Sequence, residues 1–180
     1  MVNIFIIHSG KDYDYVKTFV EPYLMGLIDE EGQTADREGN ANILTLESGS
    51  GTHTNWKKDA KKQIKLAQVV LFILGEDAGN PGKEQTMGWE ISQALKYNKQ
   101  IMIINRGDYP IPAYLYAPDR FTLQNQPIAK EQTVSQVKER IDDFAHGYYN
   151  IFSNEYDNME TKKTLVFNRI IGLDSDIESI

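Results

Sequence analysis

The sequence has no cysteine among its 180 residues, so neither disulfide bonds nor thiol chemistry contributes to its structure or function. It also has no apolar run close to the ~20 residues that a membrane-spanning helix needs. No signal-peptide pattern precedes the first predicted strand. Together these absences predict a cytoplasmic protein that has no membrane partner.

Histidine and net positive charge are also scarce. The three histidines are scattered, which argues against a histidine-based metal site. The formal charge of −7 argues against a nucleic-acid partner, because phosphate binding depends on clustered lysine and arginine. The one basic run, Lys57 to Lys65, is interrupted by Asp59. We interpret it as a solvated helix face.

The composition that remains, 41% hydrophobic and 25% charged, is typical of a globular domain. Short β-branched runs alternate with amphipathic segments, which predicts an α/β fold with a flavodoxin-like parallel sheet of four or five strands and helices on both faces. The predicted strands are Val2 to His8, Ile43 to Leu46, Gln68 to Gly75 and Gln100 to Ile104, with one more short strand near Arg120 to Leu123.

Apolar residues at helical spacing predict the helices between these strands. The first should bury Tyr15, Val16, Phe19, Val20, Tyr23, Leu24, Leu27 and Ile28, and should kink or break at Pro22. The others are expected at about Thr54 to Ala67, Met87 to Leu95 and Val134 to Tyr148. We predict that residues 1–150 form one domain and that residues 151–180 form a C-terminal helical extension packed on it, with a helix from Asn154 to Leu173.

Ligands of parallel sheets bind beyond the carboxyl ends of the strands, so the loops there are the candidate site. They are His8 to Lys11, Glu47 to Thr54, Gly75 to Gln85, and Asn105-Arg106. In the first loop, free backbone N–H groups before a helix attract anions, and Lys11 adds a positive charge. No G-x-G-x-x-G or phosphate-loop pattern occurs. His8 and Ser9 form no catalytic dyad, because adjacent strand residues point to opposite faces.

Glu90 is the candidate catalytic residue. At ~100° per residue, Met87, Ile91, Ala94 and Leu95 share the buried face of the third helix, and Glu90 lies at the edge of that face. Trp89 points away from the core. A partly desolvated carboxylate near the rim suits stabilisation of a developing cation. The alternative is that Glu90 only interacts favourably with the dipole at the helix N-terminus.

Three stretches in order resemble a bacterial TIR domain, and most closely the TIR-like proteins of Thoeris-type antiphage defence. They are Ile6 to Asp12, the Trp56 to Ala67 helix with the strand Gln68 to Leu74, and Trp89 to Ala94. The resemblance covers Val2 to Arg106. It implies an enzyme that cleaves NAD⁺ as substrate, has no prosthetic group and uses Glu90 as the catalytic residue.

The resemblance also implies substrate contacts and partners. It implies that Ser9, Gly10, Lys11, Glu47 and Ser48, in the loops after the first and second strands, lie near NAD⁺. Thr86 and Trp89, at the start of the third helix, and His8 are further candidate contacts. It implies self-association and a downstream effector that responds to a nucleotide product.

The sequence departs from the family at two points. The family usually has tryptophan four residues before the glutamate, where this chain has Thr86, and Trp89 directly precedes Glu90 instead. The loop from Glu76 to Gln85 is longer than usual. These departures bear on the shape of the nicotinamide pocket.

Two other functions stay open. An enzyme similar to nucleoside 2-deoxyribosyltransferases also has an acidic, glycine-containing loop before a Trp-Glu helix, which Asp77-Ala78-Gly79 and Trp89-Glu90 resemble. A non-catalytic TIR module, in contrast, would use Trp89 and the loop from Glu47 to Thr54 as contact surfaces.

Overall fold

A computed structural model describes residues 1–35, 37–46, 56–119 and 121–146. The predicted loop from Glu47 to Thr54 and the C-terminal extension lie outside these residues. Four strands form one parallel sheet: β1 (Val2–Ile7), β2 (Ala41–Leu44), β3 (Val69–Leu74) and β4 (Gln100–Asn105). Their order is β2-β1-β3-β4, which is the order of the first four strands in flavodoxin-like folds.

The register follows from nearly unbroken apolar runs. Ile4 pairs with Val69 between β1 and β3, and Val69 pairs with Gln100 between β3 and β4. Every residue of β3 is buried, as expected of a strand covered on both faces. The α/β fold with a parallel sheet predicted from the sequence is confirmed.

Helices cover both faces of the sheet. Helix α1 spans residues 10–24 as consecutive 3₁₀, α, π and α segments (Gly10–Asp12, Tyr13–Tyr15, Val16–Val20 and Glu21–Leu24). It packs on one face together with α4 (Val134–Ala145). Helices α2 (Trp56–Leu66) and α3 (Trp89–Lys96) pack on the other face. The part of the fourth predicted helix that contains Tyr148 lies outside the described residues.

The chain does not break at Pro22. A π segment, Val16–Val20, directly precedes the α segment that contains this proline. Proline lacks the N–H that an α-helix interior requires, and a local change of helical hydrogen bonding removes the conflict. Beyond this helix the predicted stripe is partly wrong, because Leu27 is 52% exposed. The helical spacing ends at Leu24, and Gly26 turns the chain with a positive φ of 76°.

The strand predicted at Arg120 to Leu123 is wrong. A hairpin is present instead, with β5 (Tyr116–Pro118) antiparallel to β6 (Asn125–Pro127). Phe121 to Leu123 lie in its turn, where the backbone N–H of Leu123 donates to the Asp119 carbonyl at 2.8 Å. Within the described ranges, a single bridge, Ile103 with Glu131, runs parallel to β4 at the edge of the main sheet.

Candidate functional site

The helix that carries Glu90 is preceded by a π segment, Glu84–Gly88. Gly88 is buried, and a Cβ there would lie 3.1 Å from Cγ of Tyr114. The Tyr114 hydroxyl donates to the carbonyl oxygen of Ala78, in the loop after β3. The loop and the start of α3 are therefore held together by one aromatic side chain. π segments inside helical runs occur often at functional sites.

Glu90 lies on the side of α3 that faces α2. Tyr97 follows it by seven residues, about two helical turns, and so shares its face. The Tyr97 ring centroid lies 5.0 Å from Nζ of Lys65 and 6.0 Å from Nζ of Lys61, both on α2. Glu90 is itself partly buried, as its predicted position at the edge of the apolar face implies.

The predicted orientation of the neighbouring residues was partly wrong. Trp89 does not point away from the protein but packs against the core, and its ring meets that of Trp56 edge to face at 5.4 Å and 77°. Leu95, expected to be buried, is 39% exposed, whereas Met87, Ile91 and Ala94 are buried. The helical-wheel prediction took account only of packing against the sheet. In the structure α2 also packs against the flank of α3 that carries Trp89, and this contact buries part of the Trp89 ring.

Burial raises the pKa of Glu90 from 4.5 to about 8. Among the described residues, none forms an ion pair with its carboxyl group or donates a hydrogen bond to it. Desolvation therefore acts without compensation and favours the neutral acid. At pH 7 only about a tenth of the molecules carry the charged form. A partly accessible, uncompensated acid is able to exchange its proton and to respond to a bound cation.

A second carboxylate, Asp12, lies at the carboxyl edge of the sheet and is fully compensated. Nη1 of Arg106 lies 2.8 Å from its Oδ1, and the Ser9 hydroxyl donates to Oδ2 at 3.1 Å. The Arg106 guanidinium lies 4.1 Å from the ring centroid of Tyr15. A Cβ at Gly75 would collide with the Asp12 carboxylate, so this glycine leaves the space that the ion pair fills. The ion pair joins the start of α1 to the end of β4.

The sequence pattern placed Arg106 at the rim but missed its partner. Ninety-four residues separate Asp12 and Arg106, and no local spacing connects them. The one signal was a glycine directly after the buried strand β3, because Gly in such a position often marks the close approach of another group.

The residues of the predicted anion-binding loop differ in their exposure and in the groups that they contact. Ser9 is buried and its hydroxyl is used by Asp12, whereas Gly10 and Lys11 are exposed. Nζ of Lys11 lies 3.8 Å from carboxylate oxygens of both Glu76 and Asp77. These acids reduce the positive potential that Lys11 offers to a phosphate.

His8 and Thr86, which are also predicted to contact the substrate, lie near the ends of secondary-structure elements. His8 follows β1 rather than belonging to it, and its Nδ1 lies 2.8 Å from the carbonyl oxygen of Ser9. Thr86 lies in the π segment, exposed, with its hydroxyl 3.4 Å from the carbonyl oxygen of Lys83. Glu47 and Ser48 lie outside the described residues.

A shallow cavity of about 430 Å³ adjoins the start of α3. Its lining residues are Lys57, Glu84, Gln85, Gly88, Trp89, Ile91, Ser92, Leu95 and Tyr114. Glu90 is not among them, since it lies on the α2 side of the helix. Its neighbour Trp89 lines the cavity and packs edge to face on Trp56.

Within the described ranges, no group of three histidine, cysteine, aspartate or glutamate side chains is arranged to hold a metal ion. None of the described helices has the length and apolar character required to cross a membrane.

The chain matches no family model, and comparisons with curated proteins and with solved structures gave no significant match. A functional proposal therefore rests on the geometry of the site and on the sequence motifs.

Proposed function

We propose that this protein cleaves NAD⁺ at the bond between nicotinamide and ribose, with Glu90 as the catalytic residue. The observation that carries the proposal is the state of Glu90, which is partly buried, lies in the first turn of the helix that follows β3, and has no partner among the described residues. A structural role would favour a paired carboxylate, because an unpaired one destabilises the fold.

The chemistry requires only one carboxylate. The nicotinamide of NAD⁺ is already cationic, so the C–N bonding electrons pass to its ring nitrogen and it leaves as a neutral molecule. A glycosidase, in contrast, needs a second carboxyl group to protonate a poor leaving group. The ribosyl cation that forms is stabilised by the negative charge of Glu90. Water then bonds to the anomeric carbon and releases a proton, which gives ADP-ribose.

The acceptor determines the product. Attack by the adenine ring instead of water would give a cyclic nucleotide and make the protein an ADP-ribosyl cyclase. Either product would act as a signal for a downstream effector, or the reaction would deplete NAD⁺, in antiphage defence in the cytoplasm.

The protonation state of Glu90 fits a substrate that is itself a cation. In the free protein burial raises the pKa of Glu90 to about 8, so the site is mostly uncharged at neutral pH. A pyridinium placed beside the carboxyl group favours its charged form and lowers that pKa. Binding of the reactive part of NAD⁺ would thus produce the charge that the reaction uses.

In the proposed complex, His8, Ser9, Gly10, Lys11, Glu47, Ser48, Thr86 and Trp89 contact NAD⁺. The partly neutralised Lys11 would contribute less than the backbone N–H groups of its loop to holding the pyrophosphate.

The proposal is tested by incubating the protein with NAD⁺ and identifying every released product by mass. The wild-type protein should release nicotinamide, and Glu90→Gln should lower the rate by about 10²–10³-fold, because the variant keeps the shape but loses the charge. Glu139→Gln, an exposed acid of α4 on the other face of the sheet, is the matched control and should keep the wild-type rate. Equal rates in the wild type and Glu90→Gln would contradict the proposal.

The same assay separates the two alternatives. Deoxynucleosides offered in parallel would be cleaved by an enzyme similar to nucleoside 2-deoxyribosyltransferases. Asp77, the acid of the corresponding loop, lies 3.8 Å from Nζ of Lys11 and 3.7 Å from Nζ of Lys83. A non-catalytic module would release nothing from either substrate at any protein concentration.

A further inference from the structure

Helices α2 and α3 end next to each other on one face of the sheet. The Lys99 ammonium group, in the turn after α3, donates a hydrogen bond at 2.8 Å to the carbonyl oxygen of Lys65 near the end of α2. Asn98 supplies the turn with a left-handed backbone (φ 52°), which asparagine tolerates better than most residues. The ends of the two helices are therefore held in a fixed arrangement.

Three ammonium groups converge on one aromatic ring at these helix ends. Nζ of Lys65 lies 5.0 Å from the centroid of the Tyr97 ring, Nζ of Lys96 lies 5.6 Å from it and Nζ of Lys61 lies 6.0 Å from it. We call these four residues the Tyr97 cluster. The basic run on α2 alone predicts a solvated face, but the structure adds a lysine and a tyrosine from the end of α3, so the charge is concentrated at one place.

No described carboxylate neutralises the Tyr97 cluster. The ion pairs among the described residues involve other lysines and Arg106. Asp59, the acid on α2, lies about 160° around the helix from Lys61 at ~100° per residue. Glu90, the acid on α3, lies about 10 Å along the axis from Tyr97 and is mostly neutral at pH 7, because burial raises its pKa to about 8.

The stability of the helices does not account for this arrangement. Like charges four residues apart, such as those of Lys61 and Lys65, destabilise a helix. A helix C-terminus does favour cations, and Lys65 and Lys96 lie in the last turns of α2 and α3. However, each helix end carries only about half a negative charge, which three ammonium groups exceed. A bound anion would remove the repulsion that remains.

We propose that the Tyr97 cluster binds the phosphate chain of a small polyphosphate, such as a nucleoside triphosphate. Lysine ammonium groups bind phosphate oxygens as point charges, and several of them around one position match a chain with several negative charges. Because the cluster contains residues of both helices, the ligand would bridge the ends of α2 and α3. The proposal does not depend on the cleavage of NAD⁺, in which no residue of the cluster has a role.

A nucleic acid is the competing ligand, because it also offers phosphates. Its phosphates continue along the strand, whereas the three ammonium groups surround a single ring and so suit one short chain. The remaining surface of a chain with a net charge of −7 would repel the phosphates beyond the cluster. The observations therefore favour the small ligand.

The test is isothermal titration calorimetry of the full chain with sodium tripolyphosphate at about 0.1 M salt, where the Debye length is about 10 Å. Binding should saturate at one ligand per chain. ATP should bind about as tightly as tripolyphosphate, and AMP, which has a single phosphate, should bind at least about tenfold more weakly. Absence of tripolyphosphate binding, or equal affinities for AMP and ATP, would overturn the proposal.

Two matched double variants locate the binding site on α2. Lys61→Gln/Lys65→Gln removes two ammonium groups of the cluster and should weaken tripolyphosphate binding at least about tenfold. Lys58→Gln/Lys62→Gln removes the same charge from exposed positions of the same helix and should weaken it less than about threefold, because salt screens the more distant charges. Equal losses in the two variants, with unchanged helical circular dichroism, would show that affinity follows net charge and would contradict the proposal.

Tyr97 reports on an anion bound beside it. Desolvation raises the pKa of Tyr97, but the hydrogen bond from Lys61 and the nearby lysine charges lower it further than desolvation raises it. A bound polyphosphate would offset those charges and raise the pKa again. The phenolate absorbance of the wild type minus that of Tyr97→Phe follows this one ring. Saturating tripolyphosphate should move its midpoint to higher pH, and an unchanged midpoint would place the anion elsewhere and refute the proposal.

A short single-stranded oligonucleotide, titrated in the same way, tests the competing ligand. The proposal expects it to bind no more tightly than tripolyphosphate and to lose affinity mainly in Lys61→Gln/Lys65→Gln. Tighter binding of the oligonucleotide that both double variants weaken equally would instead assign the whole of α2 to a nucleic acid, and the proposal would fail.

Discussion

Two carboxylates with different environments lie in this domain. Asp12 is buried with an arginine at 2.8 Å and a serine hydroxyl at 3.1 Å. Glu90 is partly buried with desolvation as the cause of its pKa of about 8 and with no partner among the described residues. A buried carboxylate that is paired joins parts of the fold, and one that is unpaired weakens the fold unless binding or chemistry uses its charge. The difference separates a structural acid from a reactive one.

Removing the arginine should have the largest effect on stability. Arg106→Met leaves the Asp12 carboxylate without its partner, and we expect a loss of about 3 kcal/mol in the free energy of unfolding, reduced somewhat by the solvent that reaches Arg106. Urea denaturation measures it. Arg106→Lys keeps the charge but loses the planar fork and should recover only part of the loss. A loss below about 0.5 kcal/mol in Arg106→Met would mean that Asp12 is not stabilised by this pair.

Removing the charge of Glu90 should have the opposite effect and increase the free energy of unfolding at high pH. The folded pKa of Glu90, about 8, lies above its unfolded value of 4.5, so the folded state holds the proton more tightly. Wild-type stability should therefore fall as pH rises from about 4.5 to about 8 through this group. Glu90→Gln lacks that loss and should be more stable than the wild type at pH 9 by about 2 kcal/mol, with the difference vanishing below about pH 4. The full difference between pKa values of 8 and 4.5 corresponds to about 5 kcal/mol, and water that reaches the partly exposed carboxyl group reduces it. An equal difference at both pH values would show that Glu90 is not a buried acid.

These two expectations depend on different parts of the sequence. The wheel predicted the border position of Glu90 from the spacing of Met87, Ile91 and Ala94. Its isolation could not be predicted, because that depends on which side chains of α2 lie opposite. The Asp12–Arg106 pair could not be predicted from the sequence either, because the sheet brings together residues that no local pattern connects.

The same contrast holds for the fold. Unbroken apolar runs such as Val69 to Leu74 predicted the strands, because buried parallel strands require them. Trp89, Leu95 and the hairpin around Phe121 were assigned wrongly. Their environments are set by neighbouring helices and turns, which a single amphipathic pattern does not contain.

The pH dependence of nicotinamide release sharpens the comparison further. If the charged form of Glu90 is required, kcat/KM should rise about tenfold per pH unit below the folded pKa and level off above about pH 8. Initial rates across pH 5.5–9.5, with circular dichroism at each pH as the control for folding, measure it. A flat profile below pH 7 would exclude a carboxylate with a raised pKa as the required group.

The smallest effect is expected at Tyr114. Tyr114→Phe removes the hydrogen bond to the Ala78 carbonyl but keeps the ring against Gly88, and should cost about 1 kcal/mol of stability. Thermal unfolding measures the cost. Because Glu90 faces α2 rather than Tyr114, the pH at which nicotinamide release levels off should stay the same. A shift of that pH would mean that the loop after β3 sets the environment of Glu90.

The central claim, that Glu90 is a partly buried acid without a partner among the described residues, is tested most directly by titrating its side-chain carboxyl carbon by NMR. The signal is assigned from its absence in Glu90→Gln. A midpoint near pH 8 in the free protein is the predicted result. A midpoint near 4.5 would contradict the claim, because the carboxyl group would then be solvated or paired like any other acid on the surface.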